Sequence, residues 1–150
     1  LIGEERGIDP RSVHAHIIGE HGDSELPVWS LANVAGTRIG FDEEQKARIF
    51  ESTRDAAYEI IAAKGATYYA IALALDRICT AILRDEGAVL NVSTLLDDYH
   101  GVSDVYLGVP CVVDRTGVRE VLKLEISDSE RELLHRSAEK LKGLIQSLEA

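Results

Sequence analysis

The residues most able to do chemistry lie in segment 19–29, which reads Gly-Glu-His-Gly-Asp-Ser-Glu-Leu-Pro-Val-Trp. An unperturbed histidine has a pKa of about 6.5 and exchanges protons near neutrality, which makes His21 a candidate general acid and base. Gly19 and Gly22 would let the backbone turn sharply and carry the imidazole ring into a cleft. On composition alone an ordinary loop histidine is the simpler interpretation, and residues this close in sequence do not decide between the two.

A second group of basic side chains precedes this loop. The stretch Val-His-Ala-His alternates like a strand, which would put His14 and His16 on one face. Two imidazoles are fewer than the three or four ligands that zinc requires, and no third ligand follows at a recognisable spacing, so the sequence predicts no metal site. Because Arg11 lies just upstream, an anion site is the better functional interpretation. The alternative is a pair of half-exposed strand histidines, and this alternative is preferred for His14.

The composition limits the class of protein. The 150 residues fit one domain, and 45% of them are hydrophobic, which is enough for a core. A net charge of −10 without adjacent Lys or Arg residues argues against nucleic acid and anionic membranes as partners. Cys79 and Cys111 match no zinc or redox spacing, so buried free thiols in a reducing cytoplasm are predicted. Residues 1–5 do not resemble a signal peptide and look like the middle of a helix cut from a longer chain.

Extended segments and then two helices should position the histidine loop. Residues 13–18 alternate like a strand, and 26–34 look like a second extended piece. A long helix is predicted from Asp42, which with the following residues comes close to a capping box, to a stop at Gly65. Residues 67–83 form the next helix, whose first half is apolar all round. Charged residues interrupt it well before the roughly 20 residues of a membrane span, so we predict a core helix.

The last third of the chain predicts a hairpin and a helix. Segments 89–96 and 105–113 are rich in Val and Leu, and a turn at 114–117 leads into a return strand over 118–126. The spelling Ser-Asp-Ser-Glu at 127–130 opens a final helix, whose apolar stripe would dock on the body or on a neighbouring subunit. The fold class is therefore predicted to be α+β, with antiparallel sheet strands and long packed helices.

Several blocks of sequence resemble one enzyme family. Residues 13–30 resemble the active-site segment of bacterial L-lactate dehydrogenases. Segments 54–61 and 64–69 resemble that family's long helix pair, and 106–110 with 112–117 resemble its C-terminal hairpin. Because these blocks follow one another in the family's order, the whole chain is similar to the C-terminal, catalytic half of a lactate/malate dehydrogenase subunit. No G-x-G-x-x-G pattern follows a strand, so the N-terminal Rossmann domain is expected to be absent from this chain.

The resemblance implies an NAD-dependent enzyme that interconverts pyruvate and L-lactate by hydride transfer. His21 would be the general acid and base, Thr67 and Ala57 would contact the substrate, and Ile71 would pack on the nicotinamide ring. Without the resemblance, Thr67 is most simply a helix N-cap and Ile71 a core residue. The family's carboxylate-binding Arg and the Asp that orients the histidine match positions before Leu1. Because the dinucleotide fingerprint is also absent, NAD would be bound mainly outside this chain, and the segment alone should be inactive.

The same resemblance suggests regulation and assembly. His16 matches a position that helps to bind fructose 1,6-bisphosphate between subunits in many bacterial members, which would make the enzyme allosteric. The family forms dimers and usually homotetramers, and it acts in the cytoplasm in pyruvate fermentation after glycolysis. Two alternatives stay open: a malate dehydrogenase of the same family, and a non-catalytic oligomerisation module. The flanks of His21, with Glu20 before it and Glu25 to Trp29 after it, favour lactate over malate.

Overall fold

The computed structural model describes residues 1–148, whose strands form three antiparallel sheets with helices packed around the largest. In chain order the elements are α1 (Ile2–Arg6), a 3-10 turn (Pro10–Ser12), β1 (Val13–His14), β2 (Ile17–Ile18), β3 (Leu26–Pro27), a 3-10 turn (Trp29–Leu31), β4 (Asn33–Val34), β5 (Thr37–Arg38), α2 (Glu43–Lys64), α3 (Tyr69–Leu83), β6 (Ala88–Leu95), β7 (Tyr106–Asp114), β8 (Gly117–Val121) and α4 (Asp128–Leu148).

The largest sheet has the strand order β6–β7–β8, which puts β7 in the centre. Leu90 lies opposite Cys111 in the β6–β7 register, and Leu107 and Val109 on β7 are almost fully buried. A strand that is covered on both faces needs a continuous apolar run, and β7 has one. The predicted hairpin and the α+β class are confirmed, although β8 ends at Val121 rather than at residue 126.

The single strand predicted over residues 13–18 is wrong. β1 pairs with β4, whereas β2 pairs with β3 in a different sheet, so the chain changes its partner strand at residues 15–16. His14 therefore lies in β1, while His16 lies between the two strands, and the expected shared strand face does not form. Alternation of residue types cannot indicate which strand each half of a segment will join.

Helix α2 begins and ends where the sequence indicates. The Gln45 N–H donates to Asp42 Oδ1 at 2.8 Å and the Asp42 N–H donates to Gln45 Oε1 at 3.2 Å, which completes a capping box. Gly65 ends the helix in the left-handed region with a φ of 84°. Ile49 in the first half of α2 is buried, but every residue from Ala57 to Lys64 is exposed.

Helix α3 is not the core helix that its composition predicts. Only Ala81 is buried within it, while Leu73 is 71% and Leu75 is 56% exposed. An apolar sequence predicts that a helix will be covered, but it does not identify the covering surface. Within residues 1–148 only the second half of α3 packs on the sheet. Cys79 is exposed for the same reason, which corrects its predicted burial, whereas Cys111 is buried as expected. No helix in residues 1–148 is long and apolar enough to cross a membrane.

Helix α4 closes the core from the other side. Ser127 and Glu130 form the predicted capping box, because the Ser127 N–H donates to Glu130 Oε2 at 2.8 Å and the Glu130 N–H donates to Ser127 Oγ at 3.3 Å. Leu134 and Ala138 are the buried part of its apolar stripe. The core that they join consists mainly of aliphatic residues from β2, β3, β6 and β7 and from the turns beside them, including Ile18, Leu26, Val28, Leu96, Val105, Leu107, Val109 and Val113.

Candidate active site

The histidine loop, residues 19–25, connects β2 to β3. Ile18 pairs with Leu26 across its base, and both side chains are buried, so the loop leaves and re-enters the core at adjacent points. His21 lies in the loop and is exposed. It borders a cleft of about 1040 Å³ between the loop, the sheet and the helices α2 and α3. The loop therefore holds His21 at the edge of this cleft.

The first anchor of the loop is a backbone bridge to the sheet. The Gly19 N–H donates to the Gly108 carbonyl at 2.9 Å, and the Gly108 N–H donates to the Gly19 carbonyl at 2.8 Å. Gly19 has a φ of 98°, and a Cβ atom placed there would lie only 2.7 Å from Ser137 Oγ. Glycine is required at this position because both the backbone angle and the available space exclude a side chain.

The second anchor is the carboxylate of Glu20. Lys140 Nζ on α4 lies 2.8 Å from Glu20 Oε2, and the Ser24 hydroxyl and N–H donate to the same oxygen. The Glu20 N–H donates to Ser137 Oγ at 2.7 Å. Burial raises the pKa of Glu20, but the hydrogen bonds from Lys140 and Ser24 outweigh it and hold the pKa below its ordinary value. Glu20 is thus an ionised group that ties the loop to α4.

The charges around His21 come from the loop and from α2. Burial raises the pKa of Glu25, against the opposing influence of His21 and Arg54. The Tyr58 hydroxyl donates weakly to Asp23 Oδ1 at 3.4 Å, and the Arg54 guanidinium is paired with Asp55 on its own helix at 2.8 Å. The cleft lining therefore includes carboxylates from the loop and the guanidinium of Arg54 together with His21. These α2 residues were not predicted, although Arg54 and Tyr58 share a helix face through their spacing of four.

The predicted substrate and cofactor residues occupy different parts of this region. Ala57 on α2 lines the same cleft as His21. Thr67 is half-buried in the connection between α2 and α3. The N-cap of α3 is Tyr68 rather than Thr67, and the Tyr68 side chain makes no capping hydrogen bond. Ile71 is 53% exposed, so core packing does not explain it. It lies one turn before Ala74, which lines the cleft, and residues at this spacing share a helix side.

His16 lies away from His21, beside a second cavity. This cavity has a volume of about 650 Å³ between α1, α2 and the segments around β1 and β3. Nδ1 of the half-buried His16 lies 3.3 Å from Asn91 Oδ1, and the Nδ1–H tautomer would donate to it. The Arg11 guanidinium is paired with Asp9 at 2.7 Å, and neither Arg11 nor His14 lines this cavity with His16. In the part of the chain that is described, no three His, Cys, Asp or Glu side chains converge as metal ligands.

An α+β domain with an anchored histidine beside a large cleft is a scaffold suited to acid–base chemistry on a small molecule. The chain belongs to the lactate/malate dehydrogenase family, because the model of that family's alpha/beta C-terminal domain matches residues 1–150.

Individual relatives agree with this assignment. The chain is 55% identical to an L-lactate dehydrogenase of Halalkalibacterium halodurans over 146 residues, which cover 96% of the chain and 47% of the relative. It is 50% identical to an L-lactate dehydrogenase of Geobacillus kaustophilus, covering 97% of the chain and 48% of the relative. The chain thus spans about half the length of the curated relatives that it matches.

Solved structures give the same result for the fold. A minor L-lactate dehydrogenase from Enterococcus mundtii, determined in a ligand-bound form, superposes with a TM-score of 0.93 at 41% identity, covering 97% of this chain and 49% of that one. An L-lactate dehydrogenase from Clostridium thermocellum superposes with a TM-score of 0.91 at 38% identity, covering 99% of this chain and 51% of that one. The fold is therefore that of the C-terminal domain of the family.

Proposed function

We propose that residues 1–150 are the single substrate-binding and catalytic domain of an NAD-dependent L-lactate dehydrogenase, the C-terminal part of a longer subunit. The observation that carries the proposal is the position of His21, exposed beside a large cleft on a loop that is anchored on both the sheet and α4. The similarity to L-lactate dehydrogenases supports pyruvate and L-lactate as the substrate pair. We place the reaction in the cytoplasm, in the fermentation of pyruvate.

In this proposal His21 donates a proton to the ketone oxygen of pyruvate as that oxygen gains charge, and it removes the proton when lactate is oxidised. The imidazolium also stabilises the developing alkoxide electrostatically. NAD supplies or accepts the hydride when it is bound. The apolar side chain of Ile71 is exposed one helical turn before Ala74 of the cleft lining, and in this proposal it packs against the nicotinamide ring and helps to orient it. Thr67 and Ala57 would contact the substrate.

The decisive experiment uses the complete subunit that contains these residues. We expect NADH oxidation with pyruvate as substrate, and we expect His21→Asn to lower kcat by about 100- to 10,000-fold because a general acid–base group contributes that much. His14→Asn is the matched control, since His14 is an exposed histidine on β1 outside the cleft lining. An unchanged kcat in His21→Asn would favour a non-catalytic oligomerisation module. Faster turnover of oxaloacetate than of pyruvate would favour a malate dehydrogenase.

We also propose that the subunit forms a homotetramer that fructose 1,6-bisphosphate activates through His16. The match of His16 to the binding position of related enzymes supports the regulatory part, and the exposed apolar residues of α2 and α3 support self-association. Added fructose 1,6-bisphosphate should lower the pyruvate KM of the complete enzyme, and His16→Ala should weaken that response. A complete enzyme whose kinetics ignore the sugar bisphosphate would contradict the regulatory part of the proposal.

A further inference from the structure

Hydrogen bonds to the ring do not fix the position of the His21 imidazole. Among residues 1–148 no hydrogen bond involves its ring nitrogens, and the side chain is exposed. The loop around it is held by the Ile18–Leu26 pair at its base and by the Gly19–Gly108 bridge one residue further along. The position of the ring within this domain therefore depends on how the backbone of the loop is fixed.

The residue directly before His21 carries the strongest set of these contacts. The Glu20 carboxylate is only 15% exposed and pairs with Lys140 at 2.8 Å, and the Glu20 N–H donates to Ser137 Oγ at 2.7 Å. Ser137 is fully buried, and Lys140 lies three residues further along α4, so both partners occupy one side of that helix. A partly buried, charge-assisted contact of this kind is stronger than an ion pair in open solvent.

The histidine loop packs tightly against α4. A Cβ atom at Gly19 would meet Ser137 Oγ at 2.7 Å and Leu26 Cδ2 at 3.1 Å. A displacement of the Ser137 turn of α4 would therefore push against the backbone two residues before His21. Helix α4 is tied in turn to the body of the domain by the buried Leu134 and Ala138.

We propose that Glu20, Ser137 and Lys140 are positioning residues that fix the His21 backbone against α4. Helix α4 would then determine how far the imidazole extends into the cleft. The inference rests on the proposed function for its catalytic consequence. A displacement of about 1 Å in a reacting group can cost about 100-fold in rate, so loss of one anchor should slow the chemical step and leave substrate affinity nearly unchanged.

The test uses Lys140→Met in the complete subunit, because methionine keeps much of the length of the side chain and removes its charge. We expect kcat per NADH-binding site, counted by fluorescence titration, to fall by about tenfold while the pyruvate KM stays within about twofold. Counting sites removes the contribution of unfolded protein. Lys140→Arg should restore most of the rate. Lys46→Met is the matched control, since Lys46 makes an ion pair of 2.6 Å with Glu43 on α2, away from the loop.

A second measurement is independent of enzyme activity. Amide hydrogen exchange of Glu20, whose N–H donates to the buried Ser137 hydroxyl, should accelerate in Lys140→Met and not in Lys46→Met. If Lys140→Met fails to fold, Ser137→Ala, which removes the acceptor of the Glu20 N–H directly, is measured in the same two ways. Unchanged exchange of Glu20, or a wild-type kcat per site, would overturn the positioning role. A wild-type subunit that does not reduce pyruvate would refute the proposed function alone, because the exchange experiment would still test the anchor.

Discussion

The two walls of the cleft differ in what supports them. On one wall, the histidine loop is anchored on β7 and α4, over a core that includes the buried Leu107 and Leu134. The helices of the other wall, α2 and α3, expose large apolar side chains outside the cleft lining, among them Ile61 at 45% and Leu73 at 71%. The geometry of the histidine loop is thus set inside residues 1–148, whereas the apolar face of the helix pair has the character of a contact surface.

This difference separates the roles of the two walls. A proton-transfer group must keep its position through the reaction, so a packed wall suits the histidine loop. An exposed apolar wall suits contact with a cofactor or with another subunit, and this is the use that we propose for it. Three pairs of substitutions test how firmly the packed wall is held, with expected effects that decrease from the first pair to the last.

The largest effect should come from truncating one leucine in the core under the histidine loop and one on the exposed face of α3. In the 150-residue chain, Leu134→Ala should lower the free energy of unfolding by about 3 kcal/mol, because it leaves a cavity in the core. Leu73→Ala should change it by less than about 0.5 kcal/mol, because that side chain is mostly exposed. Urea unfolding measures both values. Equal costs for the two variants would show that the walls do not differ as described.

A smaller effect should come from adding a methyl group where the loop touches α4. Gly19→Ala should cost about 2 kcal/mol more than Gly36→Ala, measured by urea unfolding of the same chain. Gly36 is the matched control because its φ of 78° is also positive but a Cβ atom there would have no neighbour within 4 Å. The comparison separates the cost of the backbone angle from the clash with Ser137. Similar costs for the two substitutions would contradict a close fit between loop and helix.

The smallest effect concerns acid stability at the start of α4. Burial raises the pKa of Glu130, but hydrogen bonds from Ser30 and Ser127 outweigh it and keep the pKa below its usual range. A carboxylate whose folded pKa is depressed adds stability above its unfolded pKa of about 4.3, and this stability is lost as the pH falls through the lower folded pKa. Glu130→Gln should cost about 1.5 kcal/mol at pH 7 and make stability less dependent on pH in the acid range.

The control for this prediction lies two residues further along the same helix. Glu132 is exposed, so Glu132→Gln should leave both the stability at pH 7 and the acid limb close to wild type. Free energies of unfolding from urea titrations between pH 7 and pH 3 provide the measurement. An acid limb that is equally steep in Glu130→Gln and in the wild type would mean that other carboxylates control acid unfolding.

Local signals in the sequence predicted local structure well. The capping boxes at Asp42 and Ser127 and the glycine stop at Gly65 lie where their residue types indicated, because the hydrogen bonds involved span only a few residues. The Val- and Leu-rich hairpin also formed as expected, since its turn and strands are adjacent in the chain. These features depend on short-range chemistry that a single sequence contains.

Features that depend on distant partners could not be predicted in this way. The division of residues 13–18 between two sheets depends on pairing with β3 and β4, and the exposure of α3 depends on which surfaces remain to cover it. The contact of Glu20 with Lys140 joins residues 120 positions apart. Nothing in the local spelling of the histidine loop indicates that α4 will hold it.

The most direct test of the central claim is a crystal structure of the complete subunit with NADH and a non-reducible pyruvate analogue. We predict that an imidazole nitrogen of His21 lies within about 3.2 Å of the analogue's carbonyl oxygen, as proton transfer requires. A His21 ring that points into bulk solvent, far from that oxygen, would contradict the proposed function.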